Sequence, residues 1–582
     1  MQIGLNADET FLTGYGTQHI FCNQFRSSRG HRTFRGARVS ASGHPEWTDP
    51  ADPLSRISYT MSHWLGGLPE PYHGDFVLLM DGDAEVTIQR KGRNGSTIDQ
   101  PFRQRVQGPA QLPVSLPPLG LASCIHVTFR MVRKPVTAVA LVHIDHLTAH
   151  ESGQHFNPDY MALQQQLGGV WRTMKLTRSD DDPLGVTVAR VGDLDWTGTH
   201  PDNRRGVPYK AVIDDAKAYG ITPWINLNAA ITDAEIDQFA DDLKSAGIVA
   251  YVGYGNEVFH GPAGGSPHHY WIDQAKAKWG TGSSARHGRQ YLAWRFAYII
   301  ARLERAGVRH LCKIVYEDQG NWAGWVSQVF DSPLWIQSAT ADHEEALIAR
   351  WRDGSMIDVF AFNAYFGERL LPKFKADGTI KKPGFIDWAE KDDPARVLWG
   401  LGQGANLRTS QIASVKSAIQ AQLPGRAFEW AAYEGGLSDS SNHISYFQSL
   451  PEMEAAQEHW LSRCDTVAGL DLVMHYADLT PGPWRLFPHV RSTLDATPKT
   501  KALLPFRGSG ATDSSATPSK PAPGFSPSPG PVSPPPPIDP VDDPQPPLPP
   551  VDDAQKPPGR TVAAIVADMR ALLDELEQQH QQ

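Results

Sequence analysis

Cysteine is scarce: the 582 residues hold only Cys22, Cys124, Cys312 and Cys464. They stand far apart with no CxxC pair, which excludes a disulfide framework and a thiolate metal site and leaves them as core thiols. No stretch reaches the roughly 18 consecutive apolar residues of a membrane-spanning helix. Met1-Gln-Ile-Gly-Leu-Asn-Ala-Asp-Glu9 has neither a basic flank nor an apolar run. No secretory leader is expected there, so the chain is expected to be made in the cytoplasm and to act there or as part of a virion or other released particle. Basic charge is also short, with 54 Lys and Arg against 64 Asp and Glu for a net −10. The whole-molecule field therefore disfavours nucleic acid and anionic membrane as partners. His268 and His269 adjoin, but no third ligand stands at a zinc-like spacing, so neither a metal nor a cofactor is expected.

Aromatic and apolar residues are plentiful, with 17 Trp, 16 Tyr and 40% apolar residues overall. That supplies at least one large core, and the length calls for two or three units. Residues 1–134 read as β-rich. Phe76–Met80 and Glu85–Ile88 flank Asp81-Gly-Asp83 like a hairpin, Ile125–Met131 adds a strand, and a sandwich or jelly-roll is expected. From 135 to 505 strands and helices alternate, which predicts a parallel sheet. The strand readings are Val136–Ile144, Trp171–Thr177, Pro223–Asn228, Tyr251–Glu257, Leu311–Glu317, Ile357–Asn363, Ala427–Tyr433 and Leu470–Tyr476. Eight strands in about 370 residues fit a (β/α)₈ TIM barrel with loop insertions. Residues 506–560 are a Pro-rich spacer incapable of forming a core. In 561–582, Val562, Ile565, Met569, Leu572 and Leu576 follow the a/d steps of a short amphipathic helix or coiled coil, suited to self-association or docking on an assembly.

Two stretches concentrate the chemistry. Tyr251-Val-Gly-Tyr-Gly-Asn-Glu257 and Ala427-Phe-Glu-Trp-Ala-Ala-Tyr-Glu434-Gly-Gly436 are both apolar runs of strand length tipped by a glutamate. On the strand count they end strands four and seven, facing each other across a barrel mouth. Cleavage of a glycosidic bond with retention needs such a pair: a protonated acid, and an ionised nucleophile about 5 to 5.5 Å away. Asn256 is placed to donate to a sugar 2-hydroxyl.

Asn256-Glu257 on strand four with Glu434 on strand seven resembles the retaining glycoside hydrolases with a TIM barrel, clan A or the 4/7 superfamily. His155-Phe-Asn-Pro-Asp-Tyr160, Gly206-Val-Pro-Tyr209, Tyr219-Gly-Ile-Thr-Pro-Trp-Ile225 and Tyr433-Glu-Gly-Gly436 are similar to cellulase-like bacterial and phage-associated barrel proteins over roughly 135–500. The resemblance implies that Glu257 is the acid/base, Glu434 the nucleophile and a polysaccharide or oligosaccharide the substrate. Around them the substrate-binding candidates are Arg178, Asn226, Asn228, Tyr316, Glu317, Tyr365, His475 and Trp484, with Tyr365 a hydrogen-bond donor to the nucleophile and Trp484 a sugar platform. The lip of strand two, Trp171-Arg-Thr-Met-Lys-Leu-Thr-Arg-Ser179, departs from the family pattern. Two functions therefore stay open. One is a glycosidase, tethered to a larger assembly or free; the other is a phage-tail or glycan-binding barrel with little or no turnover.

Overall fold

Eight parallel strands close into a barrel in this computed structural model: Gln2–Asn6, Val170–Arg172, Thr222–Leu227, Ala250–Tyr254, Cys312–Asp318, Val359–Phe366, Glu429–Leu437 and Leu472–His475. They are numbered here as barrel strands one to eight. The structure describes residues 1–7, 20–62, 74–92, 97, 100–116, 123–167, 169–179, 186–194, 196, 199–200, 203–257, 267–280, 284–339, 342–367, 394–437, 451–476, 479, 486–487 and 492–506. The Pro-rich spacer, the helix expected in 561–582 and Trp484 lie outside the described residues.

Strand one differs from the sequence reading. Gln2–Asn6 fills the position assigned to Val136–Ile144, pairing with strand eight through Ile3↔Val473 and with strand two through Leu5↔Trp171. Ile3 and Leu5 turn outward into the core and are fully buried. Gly4 turns inward, where an added Cβ would stand 2.5 Å from Met474 Sδ. The β-rich segment is thus inserted between barrel strands one and two instead of preceding the barrel. Because one strand replaces another, the count that puts Glu257 after strand four and Glu434 on strand seven is unchanged.

Val136 to His143 belongs to a strand spanning Ser123–His143, which pairs antiparallel with Gly74–Gly92, for example Leu78↔Leu141. The hairpin expected around Asp81-Gly-Asp83 is one continuous strand with a register shift there. Gly82 has φ +152°, and a Cβ on it would come within 2.9 Å of Val136 Cα, so the chain kinks at that glycine without reversing. In place of the expected sandwich, the described strands form a six-stranded antiparallel sheet with a separate two-stranded ribbon, Arg38–Val39 with Pro45–Trp47. The sheet and the barrel share one hydrophobic core, joined through Phe21, Phe156 and Trp196.

Helices cover the barrel. Asp233–Ala246 starts at a capping box in which Thr232 and Glu235 satisfy each other's backbone N–H groups, and it stops at Gly247 with φ +67°. Its buried face is Ile236, Phe239, Ala240 and Leu243, the i, i+3, i+4, i+7 stripe of a helix laid on a sheet. Inside the barrel, Val170, Trp224, Tyr251, Val315, Val359, Ala361, Ala431, Tyr433, Leu472 and Met474 fill the lumen. Trp224 stacks on Tyr251 with ring centroids 5.3 Å apart. Beneath them Lys313 and Tyr251 both bond Glu429, closing the lower end. The polar opening therefore lies at the C-terminal ends of the strands.

Candidate active site

A single guanidinium organises the mouth. Strand two is short, Val170–Arg172, and the Met174–Thr177 stretch read as its continuation is a helical turn. Val170 and Arg172 both point inward, and Arg172 is fully buried. Its Nη1 donates to Asn6 Oδ1 and Glu434 Oε1, each at 3.0 Å. Nη2 donates to Asn256 Oδ1 at 2.9 Å and Glu317 Oε2 at 2.7 Å. Burial opposes its charge, but Glu317 and Glu434 outweigh burial and hold it above its ordinary value. The ring faces of Tyr433 and Trp224 flank it, with centroids at 5.1 and 5.7 Å.

Glu434 reaches the lumen through a bulge. Alternation along strand seven turns Ala431 and Tyr433 inward and would turn Glu434 out. The pairing with strand six runs Phe362↔Ala432 and then Asn363↔Glu434, so one extra residue is inserted and Glu434 is re-aimed toward the axis. Its Oε2 accepts from Tyr365 Oη at 2.7 Å. Burial and the nearby Glu257 carboxylate push Glu434 up to about 7, against the pull of Arg172, Lys175 and the Tyr365 hydrogen bond. Gly435 and Gly436 make room behind the strand, for Trp460 and His475. A Cβ on Gly435 would stand 2.6 Å from Trp460, and one on Gly436 2.9 Å from His475 Nε2.

The strand-four tip is held in an uncommon conformation. Glu257 has φ +49°, a left-handed backbone that a non-glycine residue adopts only when its surroundings impose it. Gly255 N–H donates to Leu227 O at 2.7 Å, and Gly255 O accepts from Asn226 Nδ2 at 2.7 Å. The glycines of Tyr251–Glu257 make room for this: a Cβ at Gly253 would meet Asn226 and Glu317 within 2.9 Å, and one at Gly255 would overlap Trp271 at 2.1 Å. Glu257 is half-buried, and its charge raises Glu434, Tyr365 and Tyr433.

Other residues named from the sequence are placed in four different ways. Glu317 and Asn226 are at the site, but as scaffolding: Glu317 Oε1 accepts from Trp224 Nε1 at 3.1 Å and Asn226 Nδ2 at 2.7 Å, while Oε2 is taken by Arg172. Burial raises Glu317, and Arg172 with these donors opposes the rise. Tyr316 and His475 face away from the mouth. On strand five Val315 and Glu317 point inward, so Tyr316 points out, where it stacks on Trp325 at 5.5 Å and bonds Asp318. His475 packs edge-on to Trp460 behind strand eight, fully buried, with neither ring nitrogen bonded and burial holding it well below its ordinary value. Asn228 spends its side-chain oxygen on the Ala230 N–H in the loop after strand three. Arg178 caps the helical turn in a left-handed conformation, six residues beyond the arginine that joins the carboxylates.

Sequence reasoning missed Arg172, Asn6 and Lys175. Asn6 went unseen because its strand was assigned elsewhere; Arg172 was hidden when strand two was extended to Thr177 and its lip placed at Arg178. Lys175 Nζ lies 5.8 Å from the Tyr476 ring centroid and its charge favours ionised Glu434. A cleft of about 1110 Å³ exists elsewhere, between the loops 40–42 and 188–193 and the helices at 209–219 and 233–246. Of its acids Asp193, Glu235 and Asp242, Asp193 is paired with Arg205 at 2.9 Å and Glu235 is taken up in the Thr232 capping box.

The fold and site together define a closed eight-stranded parallel barrel with an arginine-bridged carboxylate cluster at its C-terminal mouth. No protein-family model matches the chain, and no curated protein sequence matches it significantly. Among solved structures it is similar to a GH51 arabinofuranosidase from Xanthomonas axonopodis pv. citri, at 13% identity and TM-score 0.33, over 60% of this chain and 65% of that one. It is also similar to a GH26-CBM35 β-(1,4)-mannanase from Podospora anserina, at 10% identity and TM-score 0.22, over 84% and 96%. A match to the enzymatically active domain of tailspike protein 4 of bacteriophage CBA120 has TM-score 0.13 and 10% identity, and spans 19% of this chain and 18% of that one. These scores are low, and the likenesses carry no functional assignment. Among the described residues no helix is long and apolar enough to cross a membrane.

Proposed function

We propose that the chain is a retaining glycoside hydrolase of the 4/7 type acting on a polysaccharide or oligosaccharide. The observation that carries this is the placement of Glu257 just past barrel strand four and of Glu434 on strand seven, with both oxygens of Glu434 bonded to donors. Those donors, Arg172 and Tyr365, aim Glu434 and oppose the rise to about 7 that burial and Glu257 impose, so the nucleophile is ionised only toward and above neutral pH. In this reading Glu257 is the acid/base that carries the catalytic proton.

In the first step a Glu434 oxygen forms a bond to the anomeric carbon while the bond to the leaving oxygen breaks, and Glu257 gives that oxygen its proton. In the second step Glu257 takes a proton from water, the water oxygen bonds the anomeric carbon, and the ester to Glu434 is released as carboxylate. Asn256 has its side-chain oxygen fixed by Arg172, so its amide N–H₂ is the group left to donate to the sugar 2-hydroxyl. Arg172 and Glu317 hold this geometry and do not touch substrate.

The test is release of reducing ends from a panel of bacterial and plant polysaccharides by the full chain and by Glu434→Gln. The proposal expects release that the substitution abolishes; binding without release, unchanged by Glu434→Gln, would contradict it and leave a glycan-binding barrel. Tethering to an assembly through residues 561–582 is proposed from their sequence alone. Deleting them should lower the mass seen by light scattering or prevent particle attachment; if neither changes, the tether is wrong.

A further inference from the structure

Trp322 is the exposed tryptophan among the described residues, with 46% of its surface in water, whereas eight others are fully buried. It sits in the loop 319–324 between barrel strand five and the helix Trp325–Phe330, at the mouth end of the barrel. This loop is anchored at both ends. Gly320 N–H donates to Asn363 Oδ1 at 3.0 Å, and Trp325 Nε1 donates to Gln319 O at 3.0 Å. Gly320 also passes so close to strand six that a Cβ would stand 2.8 Å from Asn363 O.

The indole itself is positioned from two sides. It folds against Gly324, where a Cβ would lie 2.3 Å from the ring, so only glycine permits this placement. Arg289 stands 5.6 Å from the ring centroid. Its guanidinium is buried and fixed, donating to both Asp318 oxygens at 3.0 and 3.2 Å and to Gln328 at 3.3 Å. A large aromatic surface held in place by buried groups, yet half in water, forgoes the burial that a tryptophan ordinarily gains. Its ordering cost is met in the free protein, which is what a binding surface needs.

We propose that Trp322 is a stacking platform for a sugar ring on the leaving-group side of the cleaved bond. This rests on the glycosidase reading. Strand five neighbours strand four, whose tip carries the proton donor Glu257. The leaving oxygen faces that donor in this reading, and the platform requires the residue beyond it to extend over the strand-five loop, one of the two loops adjoining the strand-four tip. The indole face matches the apolar C–H face of a pyranose or furanose. The substrate is accordingly a chain that continues past the scissile linkage, not a glycoside with a small leaving group.

The experiment compares Trp322→Ala and Trp322→Phe with the parent chain on two substrate types. Hexasaccharides of gluco, xylo, manno, galacto and arabino series extend over the loop; the corresponding glycosyl fluorides do not. Trp322→Ala should lose on the order of tenfold in kcat/KM on the hexasaccharide, mostly in KM, keep its rate on the fluoride, and be largely rescued by phenylalanine. Equal losses on both substrates, or none on either, would overturn the platform. If the parent chain turns over nothing, hexasaccharide binding to the parent is followed by calorimetry. Binding that Trp322→Ala abolishes keeps the platform while the hydrolase reading falls, and binding indifferent to Trp322, or no binding at all, removes it.

Discussion

Replacing Arg172 with methionine should give a stability loss that depends on pH in a particular way. The side chain is fully buried and makes four hydrogen bonds, two of them to the carboxylates of Glu317 and Glu434. Methionine fills much of the volume, so the loss is electrostatic more than steric. Removing one partner of a buried ion pair costs about 3–5 kcal/mol when the other stays charged. The carboxyls can escape by keeping their protons. Glu434 is already at about 7 with the arginine present, and burial pushes Glu317 the same way. Without the guanidinium both rise further. A carboxyl whose folded value is raised contributes stability that is present at low pH and lost as pH climbs. Near pH 5 the variant should therefore lose only the hydrogen bonds, roughly 2–3 kcal/mol. Above about pH 7 Glu434 in the parent releases a proton that the variant retains, and the deficit should grow by about 1.4 kcal/mol per pH unit until that carboxyl ionises unpaired. Urea denaturation of parent and variant at pH 5, 6, 7 and 8 measures this. A deficit constant across the series would refute the reasoning, because a purely steric or packing role has no proton to count.

Other consequences can be measured independently. Tyr365→Phe removes the hydrogen bond that helps ionise Glu434, so kcat/KM should fall roughly 10- to 100-fold and the acidic limb of its pH profile should move up; an unmoved limb would separate Tyr365 from the nucleophile. Asp215 is pushed up to about 7 by burial, while accepting from the His155 and Phe156 N–H groups. It therefore contributes stability below about pH 4 that is lost as pH rises through about 7. The stability of the parent relative to Asp215→Asn should drop by up to about 4 kcal/mol over that window, and a flat difference would show that Asp215 does not titrate there. Gly255→Ala should cost roughly 2–4 kcal/mol in thermal or urea unfolding, since φ is +66° and the new methyl would overlap Trp271; near-neutral stability would mean that the strand-four turn is not tightly packed.

Much of the barrel was legible because its strands are continuous apolar runs separated by amphipathic helices, and such runs keep their meaning wherever they sit in the chain. Strand one was not, since Gln2–Asn6 is five residues long with a glycine at its centre, whereas Val136–Ile144 is longer and richer in β-branched residues. Local propensity favours the second; only the pairing of Ile3 with Val473 decides for the first. Glu434 stood out as the end of an apolar run, although the residue that brings it inward is a bulge that no alternation rule announces. Tyr316 shows the converse: period-2 counting from the inward Glu317 would have turned it outward without a structure. Arg172 had no sequence signal of its own, because an arginine inside an apolar run is informative only once its carboxylate partners, 145 and 262 residues away, are known.

The most direct test of the two-glutamate account is to trap the covalent intermediate. The full chain would be incubated with 2-deoxy-2-fluoroglycosyl fluorides of the sugar it releases, then digested and mapped by mass spectrometry. Attachment of the fluorosugar to Glu434, with the intermediate discharged slowly by water and more slowly in Glu257→Ala, is the predicted result. Normal turnover of the natural substrate with the label on a different residue would contradict the assignment, as would inversion at the anomeric carbon.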